Sequence, residues 1–259
     1  MPAELRSTSQ GQTLILTLRN PERRNAIDPV MYAAGVEALG VAESSPDIRS
    51  VVITGADGMF CSGGNLQRLL ANRQEAPEVQ AQSIEGLHNW IETIRAFPKP
   101  VLAAVEGSCA GAGFSLALAC DMVVAAHSSV FVMAYSNVGL SPDGGASWSL
   151  MRALPRATAL QLLLLGERVG AQRLQELGLV SQVSASGEAL PDALALCDRL
   201  NARAPNALAS IKELANDALQ VSLHAQLASE RDHFVRNLHH GNAGEGISAF
   251  IEKRTASYR

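Results

Sequence analysis

One acidic residue in the sequence stands where it could do chemistry. Asp143 lies in "VGLSPDGGASW" (Val138 to Trp148), between a proline and two glycines. That setting serves two ends. An aspartate among proline and glycines forms turns and starts helices. A carboxylate on such a loop, aimed into a pocket, can also take a proton from one atom and return it to another. Two further stretches are nearly bare of side chains: "FCSGGNL" (Phe60 to Leu66) and "EGSCAGAGFSLA" (Glu106 to Ala117). Their backbone N–H groups can approach a ligand closely. The second stretch also opens a helix, whose first N–H groups lack intrahelical acceptors and carry partial positive charge. One N–H from each loop could hold a developing oxyanion. Alternatively, the glycines serve only close packing. A dinucleotide site fits less well. Gly111 and Gly113 supply G-x-G, but Leu116 stands where a third glycine or alanine belongs. Asp121 comes too soon for a ribose-binding acid.

The elements that must position these groups follow from patterning. "TLILTL" (Thr13 to Leu18) alternates as a half-buried strand does. Asp28-Pro29 is an N-cap with proline at the first helical position, and the helix runs through "VMYAAGVEALGVAES". "RSVVITG" and "KPVLAAVEG" are short apolar runs typical of buried parallel strands. Each enters one of the two glycine loops. The Gln-rich segment from Gln67 to about Gln82 is too hydrophilic for core and suits a mobile lid. Ile84, Leu87, Ile91 and Ile94 then recur at helical spacing. "DMVVAA", "SVFVMA" and "GLVSQV" predict three more strands, and from about Asp192 the chain is helical. Alternating strands and helices with a helical tail define an α/β class. No internal repeat is present.

The bulk properties narrow the function. The 259 residues are 47% apolar with a net charge of -4, which suits a packed core and gives no basic stripe for nucleic acid. The four cysteines form no CxxC pair, so no metal site is expected, and they suit reduced thiols in a cytoplasm. The N-terminal stretch lacks the apolar segment of a signal peptide, and no run is long enough to span a membrane.

Six stretches occur in order: "NPERRNAID", "GADGMFCSGGNL", "KPVLAAVEGSCAGAGFSLALACD", "VGLSPDGGASWSLMRALP", "GERVGAQRLQELGLVSQV" and "EGISAFIEKR". Together they resemble the enoyl-CoA hydratase/isomerase (crotonase) superfamily over nearly the whole chain. The resemblance implies a spiral of ββα units in a core over residues 1–195, and a C-terminal helical subdomain over 196–259 that makes trimers or pairs of trimers. It implies an acyl-CoA thioester as substrate, with CoA arriving as part of it and no separate cofactor. The family's two oxyanion N–H groups fall on Gly64 and Ala112, with Gly63 and Gly111 beside them. Arg24 and Ala26 match a segment lining CoA. Ser62, Asn65 and Leu66 should flank its pantetheine and adenine. Phe250 and Lys253 match a tail motif that reaches the nucleotide, in some cases of a neighbouring subunit. Asn65 departs from the usual aspartate.

The family's hydratases use two glutamates, and their positions are Ser115 and Tyr135 here. Neither is a carboxylate base. Ser115 could bind a polar group or cap its local backbone. Tyr135 could donate a hydrogen bond or wall the pocket. Asp143 is then the only acid among the matched motifs. One carboxylate suffices for a 1,3-proton shift through a thioester enolate, so isomerase chemistry with Asp143 as base and acid is expected. Hydration at an unusual water site, ring rearrangement in phenylacetate-like degradation, dehalogenation with Asp143 as nucleophile, and non-catalytic acyl-CoA binding stay open. His88 suits a partly exposed helix, His239 and His240 a helix end where a cation helps the dipole, and Cys61 a packing role. Trp148 and Met151 are expected to bury against the core.

Overall fold

The computed structural model describes residues 3–259. The polar N-terminal stretch forms a strand, β1 (Glu4–Gln10), that the sequence pattern does not announce. It pairs antiparallel with β2 (Thr13–Arg19). Backbone ladders are blind to side-chain polarity, so a hydrophilic edge strand forms once a partner lies beside it. β2 is not half-buried as its alternation suggests. Thr13, Leu14, Ile15, Leu16 and Leu18 are all buried, because β2 is flanked by β1 and by β3 (Ser50–Gly55) and is covered on both faces. Between β2 and β3 runs α1 (Pro29–Ser44). The Asp28 carboxylate accepts from the N–H of Val30 and Met31, capping it as expected.

The Gln-rich segment 67–82 is two helical stretches joined by a turn at residues 73–76. They fall on α2 (Leu66–Asn72) and the start of α3 (Pro77–Ala96). α3 buries Leu87, Trp90, Ile91 and Ile94 on one face. The chain continues through β4 (Val101–Val105), a short β5 (Ser108–Ala110), α4 (Ala112–Ala119), β6 (Met122–Ala126) and β7 (Val130–Val132). Next come α5 (Ala146–Ala153), α6 (Arg156–Leu165), β8 (Val169–Gly170), α7 (Ala171–Glu176) and β9 (Gln182–Ser184). Four helices end the chain: α8 (Ala189–Asn201), α9 (Pro205–Asp217), α10 (Leu223–Leu238) and α11 (Gly241–Glu252).

The main sheet has the order β1-β2-β3-β4-β6-β9 and is parallel from β2 onward. A second sheet has the order β5-β7-β8. The larger core lies between the main sheet, the small sheet and helices α1, α3 and α4. A smaller cluster on the sheet's other face packs Val52, Leu102, Ala104 and Val124 against Ala193 and Cys197 of α8. α8 therefore runs through the expected boundary at 195/196 and belongs to the core. No helix among the described residues is long and apolar enough to cross a membrane.

Candidate active site

The two glycine loops are bound together along their backbones. The Phe60 N–H donates to the Glu106 carbonyl, Cys61 N–H to Ser108 and Ala110 N–H to Cys61. The second loop's part in this contact lies on β5, which pairs with β7 on its other side and which the sequence hides inside an apparent helix approach. Gly113 lets the loops meet, since a Cβ there would lie 2.6 Å from the Cys61 Cβ. Gly63 has φ +104°, a conformation that suits glycine alone. The result places Gly64, at the end of the first loop, beside Ala112, the first residue of α4. Among the described residues, neither N–H is spent on a backbone carbonyl.

A cavity of about 390 Å³ opens in front of them. Its wall includes Ser62, Gly63, Gly64, Leu66, Gly111 and Ala112 from the two loops, and Tyr135 and Asp143 from the other side. A larger cavity of about 780 Å³ shares His88 with it but holds none of the two amides and the carboxylate. The smaller one is therefore the candidate site.

Asp143 does not serve α5 as a cap. That helix starts from Gly145 with no side-chain cap, and Asp143 offers only its backbone carbonyl to the Ala146 N–H. Its carboxylate Oδ1 instead accepts from the Tyr135 hydroxyl at 2.7 Å. The Tyr135 and Ser115 hydroxyls lie 3.0 Å apart, and Ser115 Oγ donates to the Asp143 carbonyl at 3.0 Å. Burial, and then the neighbouring Asp143 charge, push the Tyr135 phenol far above its ordinary value, so it stays protonated and keeps donating. One carboxylate oxygen is thus committed and Oδ2 is free to face a ligand. Ser115 is 1% exposed and does not reach the cavity wall. The two residues at the hydratase glutamate positions form a bracket behind Asp143.

A glutamate restored at 115 would find no room there. A Cβ at Gly144 would already come within 2.9 Å of the Ser115 Cβ, and the hydroxyl's neighbours fill the rest. Ser115→Glu is expected to lose about 2 kcal/mol or more of stability through overpacking and a buried charge. Thermal unfolding should show a midpoint several degrees lower, with no hydration of 2-enoyl-CoA gained. An unchanged midpoint would show that the bracket is loose.

Other expected site residues stand back from the cavity. Arg24 is exposed in a left-handed conformation, and Ala26 is buried. Their segment is tied to the first loop, with Ser62 N–H donating to the Arg24 carbonyl and Ile27 N–H to Gly63. Asn65 caps α2 by accepting from the Arg68 N–H and also accepts from Arg23. Phe250, 86% exposed, and Lys253 lie at the end of α11, away from this cavity.

Several supporting expectations change. Met151 is exposed rather than buried, and Trp148 lies half-buried under two guanidinium groups, with Arg95 and Arg152 at 4.5 and 4.0 Å from its ring centre. His239 ends α10 as expected, whereas His240 starts α11, its Nδ1 accepting from the Asn242 N–H. His88 is half-buried and does line the cavity. Cys61 packs as expected, and burial raises its thiol to about 12. Sequence reasoning missed Tyr32 and Arg68, which also line the cavity. They come from α1 and α2, and only the tertiary fold aims them there.

An α/β chain with paired glycine loops, two free backbone amides and one carboxylate facing a common cavity has the architecture of the crotonase class. The sequence matches the enoyl-CoA hydratase/isomerase family over residues 8–259, and the chain belongs to that family as an acyl-CoA-processing enzyme. It is 38% identical to the 1,2-epoxyphenylacetyl-CoA isomerase of Escherichia coli K12, covering 95% of this chain and 94% of the relative. It is 34% identical to the 2,3-dehydroadipyl-CoA hydratase of the same organism, covering 99% of both. Among solved structures, an enoyl-CoA hydratase from Polaromonas sp. JS666 superimposes with a TM-score of 0.98 at 70% identity, covering 98% of this chain and 99% of that one.

Proposed function

We propose that this enzyme moves a proton within the acyl group of an enoyl-CoA thioester, with Asp143 as both base and acid. The observation that carries the proposal is the Asp143 carboxylate. It faces the cavity that Gly64 and Ala112 line, with one oxygen held by Tyr135 and the other free. The Gly64 and Ala112 N–H groups would bind the thioester oxygen as it gains charge, stabilising the enolate. Asp143 Oδ2 would remove the proton and return it at the next carbon but one. The CoA moiety would leave past Ser62, Leu66 and the Arg24–Ala26 segment. Hydration needs a second group to hold water, and Ser115 and Tyr135 are occupied with each other and with Asp143.

Incubation of the enzyme with 3-enoyl-CoA in deuterium oxide tests this. Formation of 2-enoyl-CoA with deuterium at Cα or Cγ is the expected result. Accumulation of 3-hydroxyacyl-CoA from 2-enoyl-CoA would mean hydratase chemistry, which the hydratases among the relatives keep in play. Binding without exchange would mean a non-catalytic acyl-CoA binder.

The working form we propose is a homotrimer, alone or paired. Phe234, Phe250, Ile251 and Ile247 stand more than half exposed on α10 and α11, an apolar load that a second copy would cover. Light scattering should give three or six copies for the wild type. Phe250→Asp should lower that number, and a monomeric wild type would end the idea.

A further inference from the structure

Beyond the two glycine loops and Asp143, the cavity has a polar stretch of wall. It is built from Arg68 of α2, Gln80 and Ser83 of α3, and Tyr32 of α1. Arg68 is half-buried there and donates from Nη1 to Ser83 Oγ at 2.7 Å. Its Nε is buried and has no acceptor. No carboxylate among the described residues comes within ion-pair distance of it. The other charged residue on the wall is Asp143, which is already bonded to Tyr135. His88 is the remaining titratable side chain there besides the two tyrosines.

A guanidinium carries five N–H donors in a rigid fork and is always charged. Leaving part of it dry and unpaired is costly. A simple hydrocarbon acyl chain entering this cavity would displace water from Arg68 and offer nothing in return. An acyl group that carries a carboxylate would pair with the fork.

We propose that Arg68 is a specificity-determining residue, and that the acyl group taken by this enzyme bears an anionic oxygen group, a carboxylate, on the far side of the thioester. The proposal rests on the cavity's being the acyl site, as set out under Proposed function. It does not rest on the proton transfer itself. Cavity size limits the class to short acyl chains, since about 390 Å³ must hold the thioester end as well.

Saturated ligands test this without catalysis. Adipyl-CoA, hexanoyl-CoA and free CoA are titrated calorimetrically into wild type, Arg68→Met and Ser83→Ala. Wild type should bind adipyl-CoA about 10- to 100-fold more tightly than hexanoyl-CoA, the scale of a hydrogen bond between charged groups. In Arg68→Met the ratio should fall toward one. Ser83→Ala removes the Arg68–Ser83 bond but keeps the cation, so its ratio should remain well above one. A wild-type ratio of one or less would overturn the proposal, and so would a ratio that survives in Arg68→Met. Arg68→Met losing affinity for free CoA by the same factor as for adipyl-CoA would also overturn it, because Arg68 would then serve the nucleotide. If Arg68→Met does not fold, the wild-type ratio and Ser83→Ala still decide. A standing ratio in an enzyme that exchanges no deuterium would refute the proton-transfer reaction and leave Arg68's role intact.

Discussion

Asp143→Asn is expected to lower deuterium exchange into 3-enoyl-CoA by about 10³-fold, within the range by which a positioned general base contributes. That factor corresponds to about 4 kcal/mol of transition-state stabilisation. The substitution is informative because it changes little else. The asparagine amide oxygen can still accept from the Tyr135 hydroxyl, which donates at 2.7 Å in the wild type. The Asp143 carbonyl still accepts from Ser115 and from the Ala146 N–H, so the turn into α5 keeps its bonds. Asp143 is half-buried and makes no ion pair among the described residues, so stability should change by less than about 1 kcal/mol. Acyl-CoA affinity should also hold, since the amides and the CoA-facing loops are untouched. NMR of the product, with unfolding and ligand titrations beside it, separates these quantities. Exchange at the wild-type rate would remove Asp143 from the chemistry and return it to being a turn residue.

The Asp143 bracket shows how far a sequence carries this kind of inference. That the aspartate matters could be argued from the company of two glycine loops and from the types of residues 115 and 135. That Tyr135 holds it could not. The two are eight positions apart, and between them the chain makes a turn at Ser136–Val138 with Gly139 left-handed. Which hydroxyl meets which carboxylate is settled by that turn and by Ser115, which arrives from α4. Arg68 is a sharper case. In sequence it is one cation in a hydrophilic stretch, and solvation is its natural expectation. It turns inward because α2 docks on α3 and Ser83, 15 residues on, meets its Nη1.

Elements with strong local causes were legible. The Asp28–Pro29 start of α1, the apolar runs of β3 and β4, and the face of α3 all follow from caps and spacing. Elements whose cause is a distant partner were not. β1 exists because β2 offers a ladder, and β5 because β7 offers one. β2 itself alternates like a surface strand and is buried because both faces of the sheet are covered where it runs. The site inherits this split: the two glycine loops and the identities of Ser115 and Tyr135 were visible, and the contacts by which those two hydroxyls hold Asp143 were not.

Ala112→Pro should abolish most activity while leaving the fold in place. Ala112 is the first residue of α4, and proline suits the first position of a helix because that N–H has no intrahelical acceptor. No backbone carbonyl loses a partner, since the Ala112 N–H donates to none among the described residues. The preceding Gly111, at φ +49° and ψ -124°, has the freedom of a residue without Cβ. Stability should therefore stay within about 1 kcal/mol of wild type. What is lost is one of the two donors proposed for the thioester oxygen, a loss that costs about 10²- to 10³-fold in comparable sites. The proline ring carbon would also stand where the N–H pointed, so the oxygen could not simply settle closer to Gly64. Exchange should fall by at least that factor, and a dithioester substrate should lose less between wild type and variant, because sulfur is the poorer acceptor and gains less from the donor at the start. A folded Ala112→Pro protein with wild-type exchange would place the oxyanion elsewhere in the cavity. The contrast with Asp143→Asn then isolates two halves of one reaction: one variant keeps the charge-stabilising amides and lacks the base, the other keeps the base and lacks an amide.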